Sequence, residues 1–241
     1  MSGRICRKYC WKIPGQQIKI IVKITGNKIM PENTPPAFQS LFTSVLRLSR
    51  ICGDDENHAR RVMRSSLLLF DRMQSLHQLG PAERFFLKCA SLLHDIGYSI
   101  SYEDHHKNSL QIILTSDILI ADRRQRLLIG NIARYHRRAF PKKKHEHFQS
   151  MTGADKKITG QLASLLRIAD GLDCTHGDRA LGIKVSIEKK IKLTIYANSP
   201  AESECQKARQ KSDLFTEIFR KKTDISWRLA DHETIMQHTA S

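Results

Sequence analysis

Three histidines and one aspartate stand in register with apolar neighbours. His58 precedes Val62 by four residues, and Leu69 continues that stripe. His94 follows Ala90 by four and Leu87 by seven, and His136 follows Ile132 by four and Ile129 by seven. Asp170 follows Leu166 by four and Ala163 by seven. On an α-helix these spacings share a face, so four polar groups on four helices each point at or near an apolar side. One hydrogen-bonded core histidine is ordinary. An unpaired buried carboxylate costs on the order of several kcal/mol. The four together call for a divalent cation, which coordinates imidazoles and supplies the positive charge a carboxylate lacks. A nitrogen-rich donor set suits Mn, Fe, Zn, Ni or Co better than Mg, for one ion or two.

The stretch SLLHDIGYS places His94 and Asp95 at the end of an apolar run, before Gly97. Adjacent helical residues point about 100° apart, so the two face different directions. Gly97 is expected to stop the helix and leave room there.

The elements that must position these groups follow from breaker chemistry. Pro31-Glu-Asn-Thr-Pro-Pro36 closes an N-terminal segment. Helices are predicted over 37–51, ended by Gly53-Asp54-Asp55, and over 56–79, with Val62, Leu69, Met73 and Leu76 on one stripe. Pro81, at a first helical position where its missing N–H costs nothing, opens a helix over 81–96 that buries Phe86, Leu87, Ala90 and Leu93. Further helices are predicted over 104–115, over 123–138 with Asp122 as cap, and over 156–173, beyond a lysine-rich loop with Pro141. After Gly182 the period changes to two. Ile183, Val185 and Ile187, then Ile191, Leu193 and Ile195, form a hairpin with one apolar face. Ser199-Pro200-Ala201-Glu202 has the form of a capping box. The helix it opens should lay Leu214, Phe215, Ile218 and Phe219 on that face, and Asp224-Ile-Ser-Trp227 can add a third strand. The fold class is mainly α: a basic segment 1–36, a helical domain 37–178, a small α+β unit 179–230 and a tail 231–241.

The chain has 241 residues, and no apolar run approaches the roughly 20 needed to span a bilayer. The six cysteines contain no CxxC pair, which favours buried thiols and a reducing cytoplasm; Cys6 and Cys10 are a weak metal pair. The first thirty residues carry seven Lys/Arg and no acid, and lysines interrupt the run Ile18–Ile24, which argues against a secretory signal and leaves a short strand or a basic tail. A net charge of +16 draws anions. No nucleic-acid-binding fingerprint accompanies it, so nucleic acid ranks last among the anionic partners.

The order His58, His94-Asp95, Asp170 resembles the signature of the HD-domain superfamily of metal-dependent phosphohydrolases. The resemblance implies a helical fold with these four residues on one metal. The segments Tyr102–Ser109 and Arg134–Arg138 are similar to the extra histidine segments of HD enzymes that hold two ions. That implies Asp95 as a bridging ligand, with His136 and His105 or His106, or both, on the second ion. HARRVMRSSLLLFD, LLHDIGYSIS, HHKNSLQIIL, ARYHRR, LLRIADGLD and KSDLFTEIF, over 58–227, together resemble the C-terminal half of the exopolyphosphatase/guanosine pentaphosphatase family. Full-length members place their phosphatase site in an N-terminal actin-like module. Only 57 residues precede His58, so that mechanism is not expected to transfer.

The resemblance implies hydrolysis of a nucleotide, a polyphosphate-like chain or another phosphorylated small molecule. A metal lowers a bound water's pKa from about 15.7 towards roughly 7–9, and Asp95 would fix the water for in-line attack. Arg137 and Lys107 adjoin ligands and are candidates to hold charge developing on the phosphoryl group. The competing expectation is a non-catalytic polyanion-binding and dimerisation module, since the matching half of the full-length enzymes has that role.

Overall fold

The computed structural model describes residues 38–53 and 55–231 fully, and before them the backbone of two strands. These are β1 (Cys6–Ile13) and β2 (Gln16–Lys23), an antiparallel pair with Ile13 opposite Gln16. A strand is thus the outcome for the lysine-interrupted run. The Cys6 and Cys10 side chains, the Pro31–Pro36 cluster and all of the tail beyond Asp231 lie outside the described residues.

The bundle begins with α1 (Gln39–Cys52), which ends at Gly53 in the left-handed region, φ 67°. Asp55 then accepts from the His58 N–H and caps α2 (Glu56–Arg72). The single helix expected over 56–79 is broken at Met73, leaving a short α3 (Gln74–His77). The His77 ring explains the break. Its Nε2–H donates to the Phe70 carbonyl at 2.8 Å and its Nδ1 accepts from the Leu79 N–H at 2.9 Å, so a side chain replaces ladder bonds. Next comes α4 (Pro81–Leu93), with Pro81 at its start and Glu83 bonded back to the Gly80 N–H. It stops short of the predicted 96, and a 3₁₀ turn over Ile96–Ser99 follows.

Then come α5 (His105–Thr115), α6 (Arg123–Arg134), a short α7 (Glu146–Gln149) and α8 (Gly153–Gly171). Asp122 and Gln125 form a capping box at α6, and Thr152 caps α8. α6 ends four residues before the predicted 138, in a turn that takes Arg138 to φ 56°.

α4 packs against α2 and α6, α8 against α2 and α6, and α5 against α6. Val62, Leu69, Leu87, Ala90, Ile129, Ile132, Ala163 and Leu166 are all fully buried. These are the positions that set the register of the four candidate ligands.

The sheet comprises β3 (Ala180–Ile187), β4 (Ile191–Ala197) and β5 (Thr223–Leu229). The hairpin is antiparallel, with Val185 opposite Leu193, and β5 joins β4 in parallel. The single capped helix expected between them is two. α9 (Glu202–Lys211) has no side-chain cap, because it starts too late for Ser199, which bonds Asn198 instead. α10 (Asp213–Phe219) follows a break at Ser212. It is α9 that packs on β5, while α10, with Leu214 and Phe215 buried, packs on α8; Ile218 stays partly exposed. Among the described residues no helix is long and apolar enough to cross a membrane, and Cys52, Cys89, Cys174 and Cys205 are free thiols.

The sheet unit docks through a close backbone approach. A Cβ on Gly171 would lie 2.7 Å from the Ala208 Cα and 2.8 Å from its N. Gly171→Ala is expected to destabilise the fold by about 1–3 kcal/mol, lowering the urea midpoint. Gly153→Ala, with nothing within 4 Å of the new methyl, should be neutral or stabilising by about 0.4–1 kcal/mol in the same assay.

Candidate metal centre

Helix ends deliver the candidate ligand side chains. His94 is the first residue after α4, His136 stands just past α6, and His105 opens α5. Each spends its Nδ1–H in the same local way, on the carbonyl three residues earlier: His94 to Ser91 at 2.8 Å, His105 to Tyr102 at 2.8 Å and His136 to Ala133 at 2.7 Å. Ser91 and Ala133 lie in last helical turns, where the regular bond from the residue four further on is missing. His58, in the first turn of α2, gives its Nδ1–H to Asp173 Oδ2 at 2.7 Å instead, and Arg61 holds the same carboxylate at 2.8 and 2.9 Å. An occupied Nδ1–H fixes the tautomer of each neutral ring and turns the Nε2 of all four rings inward.

Those nitrogens converge on Asp95. Asp95 Oδ1 lies 3.3 Å from His105 Nε2 and 3.3 Å from His136 Nε2. Oδ2 lies 3.3 Å from His94 Nε2 and 3.8 Å from His58 Nε2. Asp170 Oδ1 approaches the second pair, 3.6 Å from His58 Nε2 and 4.0 Å from His94 Nε2. Two groups able to hold an ion result, His58 with His94 and Asp95, and Asp95 with His105 and His136. Asp95 belongs to both.

Acceptors facing acceptors in a buried site repel one another. No lysine or arginine among the described residues pairs with Asp95, and neither Asp95 Oδ1 nor His94 Nε2 has a hydrogen-bond partner. A divalent cation fits this donor set, because it satisfies carboxylate oxygens and imidazole lone pairs together.

The electrostatics agree. Burial opposes charge on His58, but Asp170 and Asp173 override it and push the ring up to about 10. Burial likewise opposes charge on His94, and Asp95 overrides it. Burial would raise both carboxyls, yet His94 holds Asp95, and Lys211 holds Asp170, below the usual range. Burial holds His136 well below its ordinary value and lowers His105. The Asp170 side of the centre thus draws positive charge, while His105 and His136 stay neutral donors.

The other singled-out residues fall in different places. His106 joins neither group; it is buried, its Nδ1 has no hydrogen-bond partner, and burial pushes it down to about 3. Arg137 lies against His105, its Nη1 3.2 Å from Nε2. Lys107 is half exposed and paired with Asp104 at 2.9 Å. It lines a cavity of about 250 Å³ with Arg134, Tyr135, His145, His147 and Phe148, none of them clustered around Asp95.

Sequence reasoning missed Asp173, Arg61 and Lys211. Lys211, the last residue of α9, pairs with Asp170 Oδ2. It also failed on Gly97, which has an ordinary negative φ. A Cβ there would lie 1.9 Å from the His105 carbonyl oxygen, so the glycine lets the start of α5 pass against the His94–Asp95 turn. Ser109 ties the same crossing, donating to the His94 carbonyl at 2.7 Å and accepting from the Gly97 N–H at 2.9 Å.

Asp173→Ala should free the His58 ring without removing a ligand. Metal retained after chelator challenge, read by elemental analysis, is expected to drop about 10–100-fold in affinity while helical circular dichroism persists. Undiminished retention would mean that the Asp173 bond does not orient His58.

A family model described as Ppx/GppA phosphatase, domain III, matches residues 42–217, well over half of the chain and including every residue clustered around Asp95. The chain belongs to the Ppx/GppA phosphatase domain III family.

Proposed function

We propose that the chain is a metal-dependent phosphohydrolase of the HD type, acting on a nucleotide or a polyphosphate-like substrate. The observation that carries this reading is the Asp95 carboxylate, buried among the Nε2 atoms of four imidazoles with no lysine or arginine among the described residues paired to it. His58, His94, Asp95 and Asp170 would hold one divalent ion, and Asp95, His105 and His136 a second. His105 is preferred to His106 because only His105 faces Asp95. When bound, such ions supply Lewis acidity towards water and a phosphoryl oxygen.

The protein's own groups prepare that chemistry. Asp173, backed by Arg61, keeps the His58 lone pair aimed inward. Lys211 takes one Asp170 oxygen and leaves the other towards His58. Arg137 stands at the His105 edge, where its planar fork can grip phosphoryl oxygens. Lys107, paired with Asp104 on the cavity side, stands apart from the Asp95 cluster, so Arg137 is preferred to it for the charge-stabilising role. The +16 net charge and the exposed Lys142–Lys144 favour a second reading, a polyanion-binding module without turnover.

Purification with Mn²⁺ and a screen of phosphoanhydrides and phosphomonoesters separates the two. Wild type should turn over at least one of them, and Asp95→Ala should lose more than about 100-fold, since even partners behind the ligands cost 10–100-fold. Salt-sensitive polyphosphate binding with no turnover sinks the enzyme reading. His94→Gln should empty the site and Asp170→Asn weaken it. Unchanged metal stoichiometry in folded variants would remove them from the ligand set.

A further inference from the structure

The exposed large aromatic side chains among the described residues are two, Tyr98 at 39 % and Tyr102 at 76 %, and they are neighbours. Their ring centroids are 5.4 Å apart at 40°. Tyr98 also stacks on His105, at 3.9 Å and 30°, which puts the pair at the rim of the Asp95 cluster. Its backbone is set by the 3₁₀ turn, with its N–H bonded to the Asp95 carbonyl at 3.0 Å. Neither hydroxyl has a hydrogen-bond partner among the described residues. Arg137 stands on the same His105 ring.

Single exposed apolar residues need no explanation. Two adjoining rings, one of them braced on a clustered histidine, form a preset flat surface beside a polar centre. A bare phosphate chain has no apolar face to lay on such a surface. A nucleobase does, because every base carries a π-face that stacks on aromatic side chains. Arg137 and Tyr98 both stand on the His105 ring, with Tyr102 next to Tyr98, an arrangement that matches phosphate at the Asp95 cluster and base on the tyrosines.

We propose that Tyr98 and Tyr102 are a stacking platform for the base of a nucleotide whose phosphate end meets the Asp95 centre. This rests on the phosphohydrolase reading for where the phosphates go, and it selects nucleotides over inorganic polyphosphate as the substrate class.

Equilibrium binding of GTP and of inorganic tripolyphosphate to the full chain, in EDTA and at fixed salt, tests the platform without turnover. Both probes carry three linked phosphates, so their affinity ratio isolates the nucleoside. Wild type should favour GTP by about 5- to 160-fold, the range for one stacked base. Tyr102→Ala, a change at an exposed position, should bring the ratio close to one, and Tyr102→Phe should keep it. Equal affinities in wild type, or a preference surviving in both Tyr102→Ala and Tyr98→Ala, overturn the platform. Turnover with Mn²⁺ is scored separately. Turnover with equal affinities removes the platform alone, whereas a tyrosine-dependent preference without turnover removes the hydrolase reading and leaves a nucleotide-binding site.

Discussion

A carboxylate with both oxygens pointed at imidazole lone pairs is the constraint on which this structure turns. Asp95 makes four such approaches, between 3.3 and 3.8 Å. The rings cannot relieve the repulsion by switching tautomer, because every Nδ1–H is already spent on a carbonyl or on Asp173. Positive charge must come from elsewhere, as protons or as a cation. The helices supply the means of enforcement. Carbonyls in the last turns of α4 and α6, beyond the reach of the regular helical ladder, become the acceptors that set His94 and His136, so ending a helix and aiming an imidazole are one event.

Much of this was legible because burial and helical register are written locally. His58, His94, His136 and Asp170 could be found from Val62, Ala90, Ile132 and Leu166, and each of those partners is fully buried. What was not legible depends on contacts between distant segments. Asp173 lies beyond the end of α8, and its role exists only because α2 brings Arg61 and His58 to it. Lys211 sits in a polar helix that reads as surface. The His105-His106 doublet could not be split by spacing, since the choice follows from where α5 begins and which ring meets the Tyr102 carbonyl. Breaks at Met73 and Ser212 were hidden for a related reason: side chains took over backbone bonds that the apolar pattern assigns to a continuous helix.

Close backbone crossings and one buried arginine hold the supports together. Gly97 and Ser109 fasten α5 to the turn bearing His94 and Asp95. Arg167 forks Asp213 at 2.7 and 2.9 Å and donates to the Tyr135 and Arg138 carbonyls. One guanidinium therefore connects α8, α10 and the loop that carries His136 and Arg137. The cost of burying it is offset by a charged partner and several acceptors at once.

The pairing of Lys211 with Asp170 has a bearing on how the protein is made. The groups around the centre are drawn from residue 58 to residue 211, so the ensemble is non-local in the sense that slows folding. During synthesis the bundle helices emerge first, with the Asp170 carboxylate awaiting a partner that has yet to leave the ribosome. Until α9 arrives, the Asp170 carboxylate has His58 beside it but lacks its lysine, an incentive for the bundle to stay loose. Docking of α9 is therefore the step that finishes the interior around Asp170, a late event in the assembly of the bundle.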